Sequence, residues 1–195
     1  MDRLSADESQ ATLDAAFEEH ASAVADVALL ANEVASAANI IAESLDSGGR
    51  LLVCGNGGSA ADAQHMAAEM VGRYQRDREA WAAIALNTDS SAVTAIANDY
   101  GFERVFARQV EAYGRAGDAL VAISTSGASA NVLTAIAAAR DKGMKVVGLT
   151  GGEGGEMVSA CDVCLVVSSS STARIQEVHA LLIHVLCELV EDALS

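Results

Sequence analysis

At 195 residues the chain is sized for one domain, and 51% hydrophobic with only 4% aromatic residues makes its core one of Ala, Val, Leu and Ile. A net charge of −15 excludes non-specific binding to nucleic acid or an anionic membrane surface, and any phosphorylated ligand must be met by local donors. The opening MDRLSADESQ has neither the basic nor the apolar region of a signal peptide, and no uncharged apolar run approaches a membrane span, so a cytoplasmic protein is expected.

Residues 8–46 read as helical. Leu13, Phe17, Val24, Val27, Leu30, Val34, Ile40, Ile41 and Leu45 recur at helical spacings, and Ser47-Gly48-Gly49 ends the region. This arm (residues 1–46) has no strand partner and is expected to serve as an oligomer interface, ahead of an α/β core over residues 50–195. The core opens with LLVCGNGGSAADAQHMAAE, Leu51 to Glu69, which reads as strand, glycine turn and helix. Its glycines allow close approach to a ligand, and the helix start offers unpaired N–H groups and a positive dipole end suited to phosphate. Ser59 is expected at the N-cap. His65 and Glu69, four apart, share a face of that helix.

Trp81 to Leu86 reads as a short buried strand, followed by Asn87-Thr88-Asp89-Ser90, a helix to Ala97 and a polar break at Asn98-Asp99. Residues 102–113 look helical, with Phe102, Val105, Phe106 and Val110 on one side. Then come a strand from Ala119 to Ile123, the loop Ser124-Thr125-Ser126-Gly127, and a helix over 130–141 headed by Ser129. A strand from Lys145 to Leu149, a glycine-rich turn, a short helix around Glu156, a strand from Val163 to Val167 and a long helix from Thr172 to Leu194 complete the order. Alternating strands and helices define a doubly wound parallel sheet covered on both faces. Ligands in such folds bind beyond the carboxyl ends of the strands, so the Gly55–Ser59 and Ser124–Ser129 loops should open onto one edge.

GNGGS fails the dinucleotide spacing and lacks the Lys of a P-loop, so alone it is no more than a tight strand–helix turn. Ser124-Thr125-Ser126 alone is no more than an N-cap cluster. Two such loops on one edge favour a phosphate-bearing ligand. His65 and Glu69 read either as a surface ion pair or, on a helix starting at the cradle, as a metal or acid–base pair. Gln176, His179 and His184 lie in an apolar helix and need partners. One satisfied core histidine is common; an imidazole joining His65 and Glu69 at Zn²⁺ is the sharper alternative. The four cysteines, Cys54, Cys161, Cys164 and Cys187, make no disulfide framework. Cys161-x-x-Cys164 is half a zinc knuckle without its other half, and residues three apart in a strand face opposite sides, so buried inert thiols are expected. The chain has no proline.

The motifs CGNGGSAADAQHMAAE, AIANDYGFERVFARQVEAYGRAGD, AISTSGASANVL, KGMKVVGLTGGEGGEM and ARIQEVHALLIHVL, in this order, resemble the sugar isomerase (SIS) family, and within it the phosphoheptose isomerase family. The resemblance covers nearly the whole chain. It implies a single SIS domain over 1–195, a homotetramer with active sites between subunits, and conversion of sedoheptulose 7-phosphate to D-glycero-D-manno-heptose 7-phosphate, the first step of activated-heptose synthesis for cell-surface glycans. It implies one zinc ion per subunit at His65, Glu69, Gln176 and His184, with Glu69 and His184 catalytic. It implies substrate contacts from Asn56, Gly57, Gly58, Ser59, Glu69, Asn98, Asp99, Ser124, Thr125, Ser126, Ser129 and Gln176. Gln176 and His184 stand about 12 Å apart along a helix, so both reach one metal only if the helix bends, the reach is long or the chains differ. Family members often carry proline where this chain has Glu79, Ala130 and Ser168, so the missing prolines are substitutional. A SIS relative that binds a replication initiator protein lacks the carboxylate and histidine at the positions of Glu69 and His184. A sugar-phosphate-sensing module would have no use for His65, Glu69 and His184 together.

Overall fold

A computed structural model describes residues 4–194. The region read as helical over residues 8–46 forms two helices, α1 (Ala6–Val27) and α2 (Ala31–Asp46), bent by 73° at the break. A capping box starts α1: the Ser5 hydroxyl accepts from the Glu8 N–H at 3.2 Å, and the Glu8 carboxylate accepts from the Ser5 N–H at 2.8 Å. Nothing in Ala28-Leu29-Leu30 is a helix breaker. The bend is imposed by packing, which brings α2 onto the sheet with Val34, Ala37, Ile41 and Leu45 buried, while α1 buries only Ala23. No single described helix is long and apolar enough to cross a membrane.

The core strands are β1 (Leu51–Gly55), β2 (Ala83–Ala85), β3 (Ala119–Ser124), β4 (Lys145–Gly151) and β5 (Val163–Val167). They form one parallel sheet in the order β2-β1-β3-β4-β5. Between them run α3 (Gly58–Val71), α4 (Ser90–Tyr100), a 3₁₀ turn (Phe102–Arg104), α5 (Ala107–Tyr113), α6 (Ala130–Asp141) and the short α7 (Met157–Ala160), and α8 (Thr172–Leu194) follows. Aliphatic side chains of α2, α3 and α8 cover one face; those of α5, α6 and α7 cover the other. Burial on both faces accounts for the unbroken apolar runs in β1 and β3.

The expected helix over 102–113 divides into the 3₁₀ turn and α5. Of the strand expected at Trp81–Leu86, Ala83–Ala85 lie in register with β1 and Ala82 and Leu86 still bond it, while Trp81 donates its N–H to the Met70 carbonyl and takes the Arg78 guanidinium over its ring at 3.5 Å. The polar break expected at Asn98-Asp99 is the last turn of α4, which ends at Gly101 with φ +91. Strand order reverses between β1 and β3, since the chain leaves β1 for β2 on one side and returns to β3 on the other. That switch point opens a crevice at the strands' carboxyl ends, and both serine-bearing loops leave from it.

Candidate active site

At the end of β1 the chain turns sharply. A Cβ at Gly55 would stand 2.6 Å from the Ser59 carbonyl oxygen, so only glycine lets the first turn of α3 fold back on the strand. Gly57, with φ +55 and ψ −120, is the N-cap, in a conformation that suits glycine. Ser59 is therefore not the cap expected of it. The two glycines bring the chain into the helix before the serine is reached, and Ser59 lies inside the first turn, 3% exposed. No side chain caps α3, which leaves its first N–H groups facing the crevice.

The loop after β3 supplies hydroxyls. Ser124 Oγ lies 2.8 Å from Ser129 Oγ and 3.4 Å from Ser126 Oγ. Ser129 is the N-cap residue of α6, but its hydroxyl bonds Ser124 rather than the helix. Gly127, at φ +62, presses backbone to backbone on Gly154, where any side chain would collide. Thr125 and Ser126 border a cleft of about 450 Å³ shared with Gly152, Glu153, Ser169 and Thr172. The two loops are bonded to each other. Asn56 Nδ2 donates to Asn131 Oδ1, and Asn131 Nδ2 donates to Asn56 Oδ1, each at 2.8 Å. Asn131 was not picked out from the sequence; an Asn at the second position of a helix carries no pattern that announces it.

A turn or two further along α3, His65 Nε2 lies 3.3 Å from Glu69 Oε1 and 3.2 Å from Nε2 of His184 on α8. The imidazoles meet edge to face at 4.8 Å between centroids, and Tyr74 stacks on His184 at 5.6 Å. Two imidazole nitrogens and a carboxylate oxygen directed at one another must share a proton or a cation. Tetrahedral ligands held about 2.0–2.1 Å from Zn²⁺ stand about 3.3 Å apart, so donor types and both measured spacings fit that ion. The fit is partial within one chain: among the described residues, no three His, Cys, Asp or Glu side chains close around an ion unaided. Gln176 does not complete the set. Its amide lies against Gly58 at the glycine turn, about two helical turns from His65, and α8 runs unbroken from Gln176 to His184. His179 is the core histidine. It is fully buried, its Nε2 is 3.1 Å from the Thr150 carbonyl, its Nδ1 has no partner among the described residues, and burial pushes the imidazole down to about 4 despite that bond.

Further groups sit around the cluster that the sequence did not single out. Asp62, one turn before His65, has a buried Oδ2 without a partner among the described residues; burial raises its carboxyl and His65 opposes the rise. The segment after α3 is held by Glu191 of α8, whose carboxylate accepts the N–H groups of Tyr74, Gln75 and Arg76, each at 2.9 Å. Burial works against that charge, yet these donors and Arg78 outweigh it and hold the carboxyl down at about 2. The spacing of Asp62 to His65 was a usable signal. A lone Glu deep in the last helix was not.

Asn98 and Asp99 stay apart from this site within the chain. Both are exposed at the end of α4, and Asn98 Nδ2 donates to Asp99 Oδ1 at 2.8 Å. A separate cleft of about 550 Å³ between α6 and α7, lined by Leu133, Arg140 and Glu156, contains none of the candidate residues.

A parallel sheet with two anion-suited loops at its switch point defines the class: the SIS domain family model matches residues 9–151, and the chain belongs to that family. Similarity extends further with individual members. The chain is 50% identical over 183 residues to the phosphoheptose isomerase of Helicobacter hepaticus, covering 94% of this chain and 93% of the relative. It is 56% identical over 161 residues to that of Rhodospirillum rubrum, covering 83% and 86%. The solved phosphoheptose isomerase of Neisseria gonorrhoeae superposes with a TM-score of 0.89 at 49% identity, covering 94% of this chain and 98% of the other. Within the SIS domains, the chain is a member of the phosphoheptose isomerase family.

Proposed function

We propose that the protein interconverts sedoheptulose 7-phosphate and D-glycero-D-manno-heptose 7-phosphate, supplying the first intermediate of activated-heptose synthesis in the cytoplasm. The observation that carries this reading is the junction of His65, Glu69 and His184 on two neighbouring helices, one of which begins at the glycine turn.

Ketose–aldose isomerisation moves a proton between C1 and C2 through an enediol, and a second proton between the two oxygens. Glu69 takes the carbon-bound proton and returns it to the neighbouring carbon. His184, held by the Tyr74 ring, passes a proton between O1 and O2. The N–H groups of α3 and the hydroxyls of Ser59, Ser124, Thr125, Ser126 and Ser129 hold the phosphate, with Asn56, Gly57 and Gly58 shaping the cradle. Anchoring the remote end there fixes the reacting carbons against Glu69 without any lysine or arginine. A zinc ion held by His65, Glu69 and His184 would act as a Lewis acid on the substrate carbonyl. A carboxylate shared with zinc is a weaker base, so Glu69's two roles compete.

The active form is read as a homotetramer with its sites between subunits. Leu13 and Phe17 on α1 are 50% and 69% exposed, and α4 buries none of its residues, so both helices have faces left for another subunit. A shared site also accounts for Asn98, Asp99 and Gln176, assigned to substrate or metal, standing apart from the cluster within one chain.

The deciding experiment is turnover of sedoheptulose 7-phosphate by purified protein, before and after chelation, with zinc restored. Turnover lost to the chelator and recovered with zinc supports both isomerase and metal. Turnover indifferent to chelation keeps the isomerase and removes the metal. An intact oligomer without turnover in any condition overturns the assignment in favour of a protein-binding SIS relative.

A further inference from the structure

On the opposite side of the sheet from α3 and α8, two sulfurs meet. Cys161 is not in a strand, as its spacing from Cys164 suggested. It is the C-cap of α7, in extended backbone, and the chain turns at Asp162 before β5 begins. That turn removes the alternation that would have placed the two side chains on opposite faces. Cys164 pairs in register with Gly148 of β4, and a Cβ at Gly148 would stand 2.8 Å from Cys161 Sγ and 3.0 Å from Cys164 Sγ. The missing side chain of Gly148 is the space both thiols share, and both sulfurs border it.

The surroundings separate this pair from the other two cysteines. Cys54 lies on the same register row, across Ala122 and Gly148, but it is fully buried and burial pushes its thiol up to about 12. Cys187 is buried against the other face, and burial likewise pushes it up to about 12. Cys161 and Cys164 are only partly buried, beside the edge of the sheet that β5 forms.

We infer that Cys161 and Cys164 form a reversible dithiol–disulfide site, closed by peroxide and remote from the sugar-phosphate chemistry. One of the two thiols, as its thiolate, attacks one peroxide oxygen, breaking the O–O bond and leaving a sulfenic acid and hydroxide. The other sulfur then attacks the oxidised sulfur; an S–S bond forms, the S–OH bond breaks, and the thiol proton leaves with the hydroxide as water. Two thiols are oxidised by two electrons and one hydrogen peroxide is reduced to two waters. The short separation in sequence makes the closure local, with little constraint on the unfolded chain.

The test is intact-mass and peptide mapping of the full-length protein, reduced and then exposed to hydrogen peroxide. The expected result is a mass about 2 Da lower, a cross-link inside the peptide spanning Cys161 and Cys164, and full reversal by a dithiol reductant. Cys161→Ser or Cys164→Ser should abolish the loss, and Cys54→Ala should leave it unchanged. Unchanged mass, oxygen adducts on single cysteines without a cross-link, or a disulfide to Cys54, Cys187 or another chain would each overturn the inference.

Discussion

The Arg78 guanidinium donates from Nε to Glu191 Oε1 at 3.0 Å, and from its terminal nitrogens to the carbonyls of Glu69 and Met70 at 2.9 and 3.1 Å. Arg78 and Glu191 side chains are 7% and 2% exposed. The pair fastens the segment after α3 to α8 beside Glu69 and sets Tyr74 against His184. Glu191→Ala should destabilise the fold by about 3–5 kcal/mol, because it strands Arg78 and three backbone donors. Urea unfolding measures that loss. The milder Glu191→Gln should lower kcat about tenfold or more with a small change in KM, since it loosens the setting of Glu69 and His184 rather than the phosphate cradle.

Two buried groups make stability fall in acid. The Glu191 carboxyl is held at about 2, below its ordinary 4.5, so its contribution is present above that ordinary value and is lost as pH falls toward 2. His179 is lowered from 6.5 to about 4; the unfolded chain takes up the proton first, so stability falls as pH drops from about 6.5 to about 4. The full His179 effect is on the order of 3 kcal/mol. Thermal unfolding followed from pH 8 to 3 should show a decline beginning near pH 6.5, and His179→Gln should remove that first part of it.

Glu69→Gln should keep the fold and cost at least about 100-fold in turnover, because the amide cannot accept the carbon-bound proton. Steady-state kinetics on the folded variant checks this. Near-normal activity would remove Glu69 as the base.

The sheet, its order of elements and the two phosphate-suited loops were legible because glycines, serines and apolar runs act locally. What escaped reading was set by contacts between distant segments. The bend at Ala28–Leu30 has no breaker residue. The cap at Gly57 depends on how β1 meets α3. Asn56 and Asn131 pair across 75 residues, and Glu191 reaches back 113 residues to Arg78. His65 and Glu69 were visible through their spacing, and His184 only as one polar residue in an apolar helix. The separation of Gln176 from them follows from α8 remaining straight past Gly58. Strand alternation did not apply to the cysteine pair, because Cys161 lies at the end of α7, ahead of the strand expected and found over Val163–Val167.

Asn131→Ala should raise KM for the sugar phosphate about tenfold and change kcat less. It removes the reciprocal amide pair that holds the two phosphate-suited loops together and leaves His65, Glu69 and His184 in place. Inorganic phosphate should lose affinity for this variant to a similar extent in calorimetric titration.

Removing residues 1–27 should dissolve the proposed tetramer while leaving a folded chain, since α1 contributes only Ala23 to the core. A cut at residue 46 would not test the same thing: Ile41 and Leu45 of α2 are part of the core, and the fold itself would suffer. Light scattering reads the assembly, and an intact tetramer after the shorter cut would refute the role of the arm.

His65 and His184 meet across 119 residues, and the second of them rides on the helix that follows every other element. During synthesis the sugar-phosphate loops and the first half of the metal-suited cluster leave the ribosome well before their partner does. A chain stopped short of α8 lacks both His184 and the aliphatic side chains with which that helix covers one face of the sheet. Folding and the proposed site are therefore completed by the same last helix, and the onset of isomerase activity should report its docking.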